Sequence, residues 1–103
     1  MITAITKFRL SKPVSLDEAK RIFQTTIHKY KGLEGLFIKC YVISDDGYTV
    51  GGIYLWRSRK DAEAVYTEHW KKFVLEKYGS EPEITYLETP VVVDNFSPDF
   101  MSD

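Results

Sequence analysis

Apolar side chains fill both alternating sets of positions in residues 36–57, Leu36-Phe-Ile-Lys-Cys-Tyr-Val-Ile-Ser-Asp-Asp-Gly-Tyr-Thr-Val-Gly-Gly-Ile-Tyr-Leu-Trp-Arg57. Two runs of β-branched and aromatic residues flank Asp46-Gly47, a pairing that predicts a hairpin closed by a type I′ turn with positive φ at both central residues. That turn sets Ser44 opposite Thr49, Val42 opposite Gly51, Cys40 opposite Ile53, Ile38 opposite Leu55 and Phe37 opposite Trp56. Because side chains alternate across a sheet, the two faces follow. One carries the small apolar set Ile38, Cys40, Val42, Gly51, Ile53 and Leu55. The other carries Phe37, Lys39, Tyr41, Ile43, Val50, Gly52, Tyr54 and Trp56. Neither face suits water, so two covers are expected. Helices of the chain are expected on the first face and a second copy of the chain on the aromatic one, since amphipathic aromatics are enriched at interface centres.

The rest of the chain falls into place around the hairpin. Residues 2–10 alternate as a first strand that Ser11-Lys12-Pro13 ends. Ser15 and Glu18 form a capping box, and Leu16, Ala19, Ile22, Phe23, Ile27 and Tyr30 recur at helical spacing, which predicts one helix from 15 to about 30, stopped by Gly32. Ser58 and Asp61 repeat the box, and Ala62, Val65, Tyr66, His69, Trp70 and Phe73 repeat the stripe up to Gly79. A shift of 43 positions superimposes the two helical patterns. Residues 83–89 alternate again, and Pro90 precedes Val91-Val92-Val93. The predicted order is β-α-β-β-α-β, a ferredoxin-like α+β plan with a four-stranded antiparallel sheet and both helices on one face. The helices should then cover Cys40 and Gly51.

Composition narrows the function classes. The 103 residues, 44% hydrophobic, suit one domain over residues 1–95, with 96–103 expected as a flexible C-terminal tail. A net charge of −1 with interspersed signs offers no footprint for nucleic acid or an anionic membrane. No apolar run approaches the ~20 residues of a membrane span. The chain opens directly on a strand and its single cysteine, Cys40, forms no internal disulfide, so a reducing cytoplasm is the expected address. Two histidines and one cysteine without ligand spacing give no metal signature, and no glycine-rich phosphate loop follows a strand.

With the order of elements in place, particular stretches resemble a known family. Gly51-Gly52-Ile-Tyr-Leu-Trp56, the helix bearing His69-Trp70, Tyr78-Gly79, and Pro90-Val-Val-Val-Asp94 resemble the dimeric α+β barrel proteins, and within them the small monooxygenase-like proteins of the YdhR type. The resemblance implies a homodimer whose sheets pack face to face. Some such proteins oxidise aromatic compounds with oxygen and no metal or flavin, so no cofactor is implied; others bind haem or isomerise lactones, and the fold alone does not fix the reaction. The resemblance also gives Val91, Val92 and Val93 a role as an arm crossing to the partner, against a tail folded on its own subunit.

The candidate pocket lies between the second helix and the hairpin, where Gly51 and Cys40 would face Tyr66, His69 and Trp70. A cofactor-free oxygenation needs a base to make an electron-rich anion, a donor to hold it and a dry aromatic cavity. His69 is the expected base, Tyr66 the donor, and Phe23, Cys40, Gly51 and Trp70 the substrate-binding walls, for a small hydrophobic phenol or quinol. A satisfied core histidine and ordinary aromatic packing are the competing explanation. Phe37, Tyr41, Tyr54 and Trp56 are expected at the dimer interface, with a ligand site at Tyr41, Tyr54, Trp56 and Lys39 as the other possibility. A non-catalytic dimer binding or sensing a small ligand remains the alternative function.

Overall fold

A computed structural model describes residues 1–96. Strands β1 (Ile2–Arg9), β2 (Leu36–Ile43), β3 (Thr49–Trp56) and β4 (Glu83–Glu88) form one sheet in the order β2-β3-β1-β4, with every neighbouring pair antiparallel. Helices α1 (Leu16–Gln24) and α2 (Ile27–Tyr30) connect β1 to β2, and α3 (Arg59–Val65) and α4 (Glu68–Tyr78) connect β3 to β4. The order is the ferredoxin-like one, in which each helical connection returns the chain across a single sheet face.

The hairpin pairs as the alternation predicts from Ile38–Leu55 to Ile43–Val50, but Leu36, not Phe37, sits opposite Trp56 because a bulge intervenes between Leu36 and Ile38. The turn also differs from the predicted type I′. Gly47 has φ +77°, no residue other than glycine has positive φ among the described residues, and the Gly47 N–H donates to the Ser44 carbonyl at 3.0 Å. The Asp46 carboxylate accepts from the Ser44 hydroxyl at 2.7 Å and the Tyr48 N–H at 3.0 Å. These bonds accompany a negative φ at Asp46 and leave the positive φ to glycine.

Each predicted helix is two helices. The Ser15–Glu18 box opens α1, but the chain breaks at Thr25-Thr26, where both hydroxyls donate back to carbonyls, Thr25 to Ile22 and Thr26 to Phe23. Such bonds compete with continuation of the helix. Ser58 caps α3, the chain turns at Tyr66, and the Thr67 side chain accepts from the Trp70 N–H at 3.2 Å to open α4. A fresh N-cap restarts the helix with a new phase.

The covered and bare faces of the sheet are the reverse of those expected. Tyr54 and Trp56 are 1% and 0% exposed and lie under the helices with Ile2, Ala4, Thr6, Phe8 and Val50. They are core residues of the subunit and not interface residues; Tyr41, on the same face, bonds to Thr26. The physical cause is volume. The fully buried residues of α1 and α3 are alanines, Ala19 and Ala62, so the sheet's own aromatics must fill the layer. The opposite face is left with Ile38, Ile53 and Leu87 exposed, Cys40 among them. Val91, Val92 and Val93 follow β4 without regular structure and are exposed, and Val92 and Val93 line a groove of about 800 Å³ with Met1, Phe37, Ile38 and Leu55. Most of the expected tail, residues 97–103, lies outside the described residues.

Candidate functional site

Alternation along β2 turns Lys39 toward the helices, between Tyr41 on its own strand and Tyr54 opposite on β3. A lone lysine thus enters the aromatic layer. Its Nζ stands 3.3 Å from the ring centroid of Tyr30 at the end of α2, 4.0 Å from that of Tyr41 and 4.7 Å from that of Tyr54. Among the described residues no acceptor bonds to this ammonium, so its contacts are with ring faces. Burial, followed by the charge of Lys29, pulls Lys39 down from 10.5 to about 7. The amine therefore exchanges its proton near neutrality.

The cage around it is fixed by a short relay of bonds. The Trp70 indole N–H donates to the Tyr30 hydroxyl at 3.0 Å and so anchors the ring nearest Lys39. Because the Thr26 hydroxyl donates to the Phe23 carbonyl, the Tyr41 hydroxyl is the donor in the 2.7 Å bond between Thr26 and Tyr41. Phe23 stacks on Tyr41 at 4.9 Å, and Tyr30 meets Tyr54 edge-on at 5.9 Å. Burial raises Tyr41 and Tyr54 above the ordinary phenol value and pushes Tyr78 up to about 12. These phenols stay protonated while the amine titrates.

Gly52 makes room for the lysine. A Cβ built there would lie 2.8 Å from Tyr54 Cε1 and 3.3 Å from Lys39 Cε. The neighbouring Gly51 permits close strand approach instead, since a Cβ on it would overlap the Thr6 carbonyl oxygen. The cavity inside the cage holds about 20 Å³, room for a single water. It abuts a groove of about 360 Å³ at the β2 edge, and Tyr30, Lys39 and Tyr41 line both. Lys39 stands at the boundary between them.

Of the residues singled out by sequence, Phe23, Gly51 and Trp70 line this cavity. Tyr66 lies beside it, tilted against Trp70 at 4.8 Å, with its hydroxyl accepting from the Trp56 indole at 3.1 Å. His69 and Cys40 are not in the site. His69 is exposed in the first turn of α4, and Cys40 is exposed on the opposite sheet face. The expected stripe put His69 inward by continuing the phase of Ala62 and Tyr66; the restart at Thr67 rotates α4 so that Trp70, Phe73, Val74 and Tyr78 point inward instead. Lys39 entered the sequence reading only in the alternative ligand site with Tyr41, Tyr54 and Trp56, and Gly52 was not chosen as a site residue. Their signal was a single charge, and a glycine paired with Tyr41, within an otherwise aromatic row.

Among the described residues no group of three or more histidine, cysteine or carboxylate side chains is placed to hold a metal ion, and no helix is long and apolar enough to cross a membrane. The chain matches no protein-family model and no curated protein by sequence. Its structure is similar to that of a monooxygenase from Streptomyces coelicolor in complex with nanaomycin D, with a TM-score of 0.65, 14% identity and 92% of each chain covered. It is similar to an antibiotic biosynthesis monooxygenase at a TM-score of 0.63 and 15% identity, over 86% of this chain and 98% of that one. A Mycobacterium tuberculosis protein matches at 0.64 and 15% identity, over 90% of this chain and 98% of its own. At such identities the likeness establishes the fold alone, and the chain has the ferredoxin-like α+β fold of these monooxygenase structures.

Proposed function

We propose that the protein is a cofactor-independent monooxygenase-like enzyme that oxidises a small hydrophobic phenol or quinol-type compound at the Lys39 cage. The observation that carries this reading is the Lys39 amine, set among three tyrosine rings without an acceptor of its own and tuned to about 7. A neutral amine at that position takes a proton from an acidic C–H or O–H of the substrate, and the resulting ammonium holds the anion. For an anthrone-type substrate two C–H bonds are lost, one oxygen atom becomes a carbonyl and the other leaves as water. The substrate supplies all four electrons, so the balance calls for no reductant. Lys39 lines the groove of about 360 Å³ as well as the small cavity, so a bicyclic or tricyclic ring system lodged in the groove meets the amine where it stands. The solved complex of the Streptomyces coelicolor monooxygenase with nanaomycin D supports a small-molecule occupant for this fold.

The exposed apolar face suits a homodimer. Ile38, Ile53 and Leu87 lie together on the side of the sheet that the helices leave bare, and a second copy of the same face is the cover proposed for it.

The test is oxygen uptake by metal-free, flavin-free protein with a panel of anthrones and quinols. Saturable uptake in the wild type and in His69→Gln, reduced at least ~100-fold in Lys39→Met, is the expected result. Binding of the same compounds without uptake would overturn the catalytic reading and assign the site to a binding protein.

A further inference from the structure

Proton transfer is not the only chemistry open to the Lys39 amine. Lys31 lines the same β2-edge groove and is exposed, whereas Lys39 is half-buried, with its Nζ within 4.7 Å of three ring centroids. Burial leaves about half of the Lys39 amines neutral at neutral pH, where an ordinary lysine is almost wholly charged. A neutral amine is a nucleophile, and lysines desolvated in apolar surroundings form Schiff bases with carbonyl compounds. Reach is the second requirement. The groove of about 360 Å³ is walled by Ile27, Leu36, Phe37 and Ile38 together with Lys39, so an apolar body lodged there brings its carbonyl group to the amine.

The cage decides which carbonyl compound fits. Condensation joins Lys39 Nζ to the carbonyl carbon as C=N, and the carbonyl oxygen leaves with the two amine hydrogens as one water. The cavity inside the cage holds about 20 Å³, room for that water and for nothing larger. Of the two substituents on the carbonyl carbon, only a hydrogen finds space on the cage side, and the other must lie in the groove. The Tyr30 hydroxyl accepts from the Trp70 indole N–H at 3.0 Å and keeps its own hydrogen to donate to the departing oxygen; Tyr30 lines both spaces. We propose that Lys39 is a Schiff-base site for aldehydes carrying an apolar body of one or two rings, with the aldehyde hydrogen toward the cage and the body in the β2-edge groove. The assignment needs the cage and the groove but not the oxygenation, so the two readings fail separately.

The test traps the imine. The full chain is incubated at neutral pH with 2-naphthaldehyde or with 2-acetonaphthone, reduced with sodium cyanoborohydride, and digested for peptide mass spectrometry. Lys31 is the internal comparison, an exposed amine at the same groove. An ordinary lysine is neutral in roughly one molecule in 3,000 at neutral pH, against about half for Lys39, and the lower nucleophilicity of a less basic amine takes back part of that advantage. The aldehyde is therefore expected to label Lys39 on the order of 100-fold faster than Lys31. With the ketone, whose methyl group the cage does not admit, the preference for Lys39 over Lys31 should fall to about 2-fold or less. In denaturing urea the aldehyde should label both lysines alike, because the preference belongs to the fold. Equal labelling of the two lysines in the native protein, or a preference that persists in urea, would overturn the Schiff-base site. A ketone with the same preference for Lys39 as the aldehyde would overturn the selection of aldehydes by the cage. Labelling is read without any quinol, so absence of oxygen uptake leaves this outcome as it stands.

Discussion

Lys39→Met is expected to stabilise the folded protein while abolishing its chemistry. Lowering a lysine from 10.5 to about 7 through burial means that the folded state disfavours the charged amine by ~5 kcal/mol relative to the unfolded chain. The three ring contacts favour the charged amine and are already contained in that net figure. Methionine fills the same slot without charge and packs favourably on aromatic edges. Below about pH 7 both states hold the proton, so the cost is present in full. Above it the folded state releases the proton while the unfolded chain keeps it until 10.5, so the unfolded state binds more protons and wild-type stability rises with pH. Urea unfolding of wild type and variant at about pH 6 and about pH 10 gives the difference directly. At the lower pH the variant should be more stable by ~5 kcal/mol, a rise in Tm on the order of 20 °C; at the higher pH the two should come within ~1 kcal/mol of each other. A variant less stable than wild type at pH 6, or a difference independent of pH, would show that the Lys39 amine is not desolvated in the native state.

The remaining predictions concern the supports of the cage and the bare sheet face. Gly52→Ala places a methyl 2.8 Å from Tyr54 Cε1 and should cost ~1–3 kcal/mol in unfolding experiments while slowing oxygen uptake with the quinol panel, because Lys39 Cε must also move. Tyr41→Phe removes the 2.7 Å bond to Thr26 and should cost ~1 kcal/mol, read as a lower urea midpoint at unchanged slope. His69→Gln alters an exposed side chain and should change stability by no more than ~0.5 kcal/mol and leave turnover intact; a large loss of turnover would restore it as the base. Ile53→Lys, on a face where Ile53 is 41% exposed, should convert the proposed dimer to a monomer in sedimentation velocity without unfolding the subunit.

Strand pairing was legible in the sequence and face assignment was not, for separable physical reasons. Register depends on local chemistry, and Ser44, Asp46 and Gly47 specify it through bonds within the turn even though the turn is not the type predicted. The choice of which face the helices cover depends on volumes supplied by distant segments. Ala19 and Ala62, each 0% exposed, bring the helices close and leave space that only Tyr54, Trp56 and their neighbours fill. Both faces of the hairpin are apolar, so hydrophobicity did not discriminate between them; side-chain size did. The misplacement of His69 has a third cause. A stripe of Ala62, Val65, Tyr66, His69, Trp70 and Phe73 fits one uninterrupted helix as well as it fits two, and the deciding residue is Thr67, whose side chain caps α4 and resets its phase. The same threonine chemistry at Thr25-Thr26 ends α1 and frees Thr26 to bond Tyr41. The two breaks occupy nearly corresponding places in the two copies of the helical pattern. One aims Trp70 at Tyr30 and the other aims Thr26 at Tyr41, so the residues that defeat the continuous-helix reading are those that build the cage around Lys39.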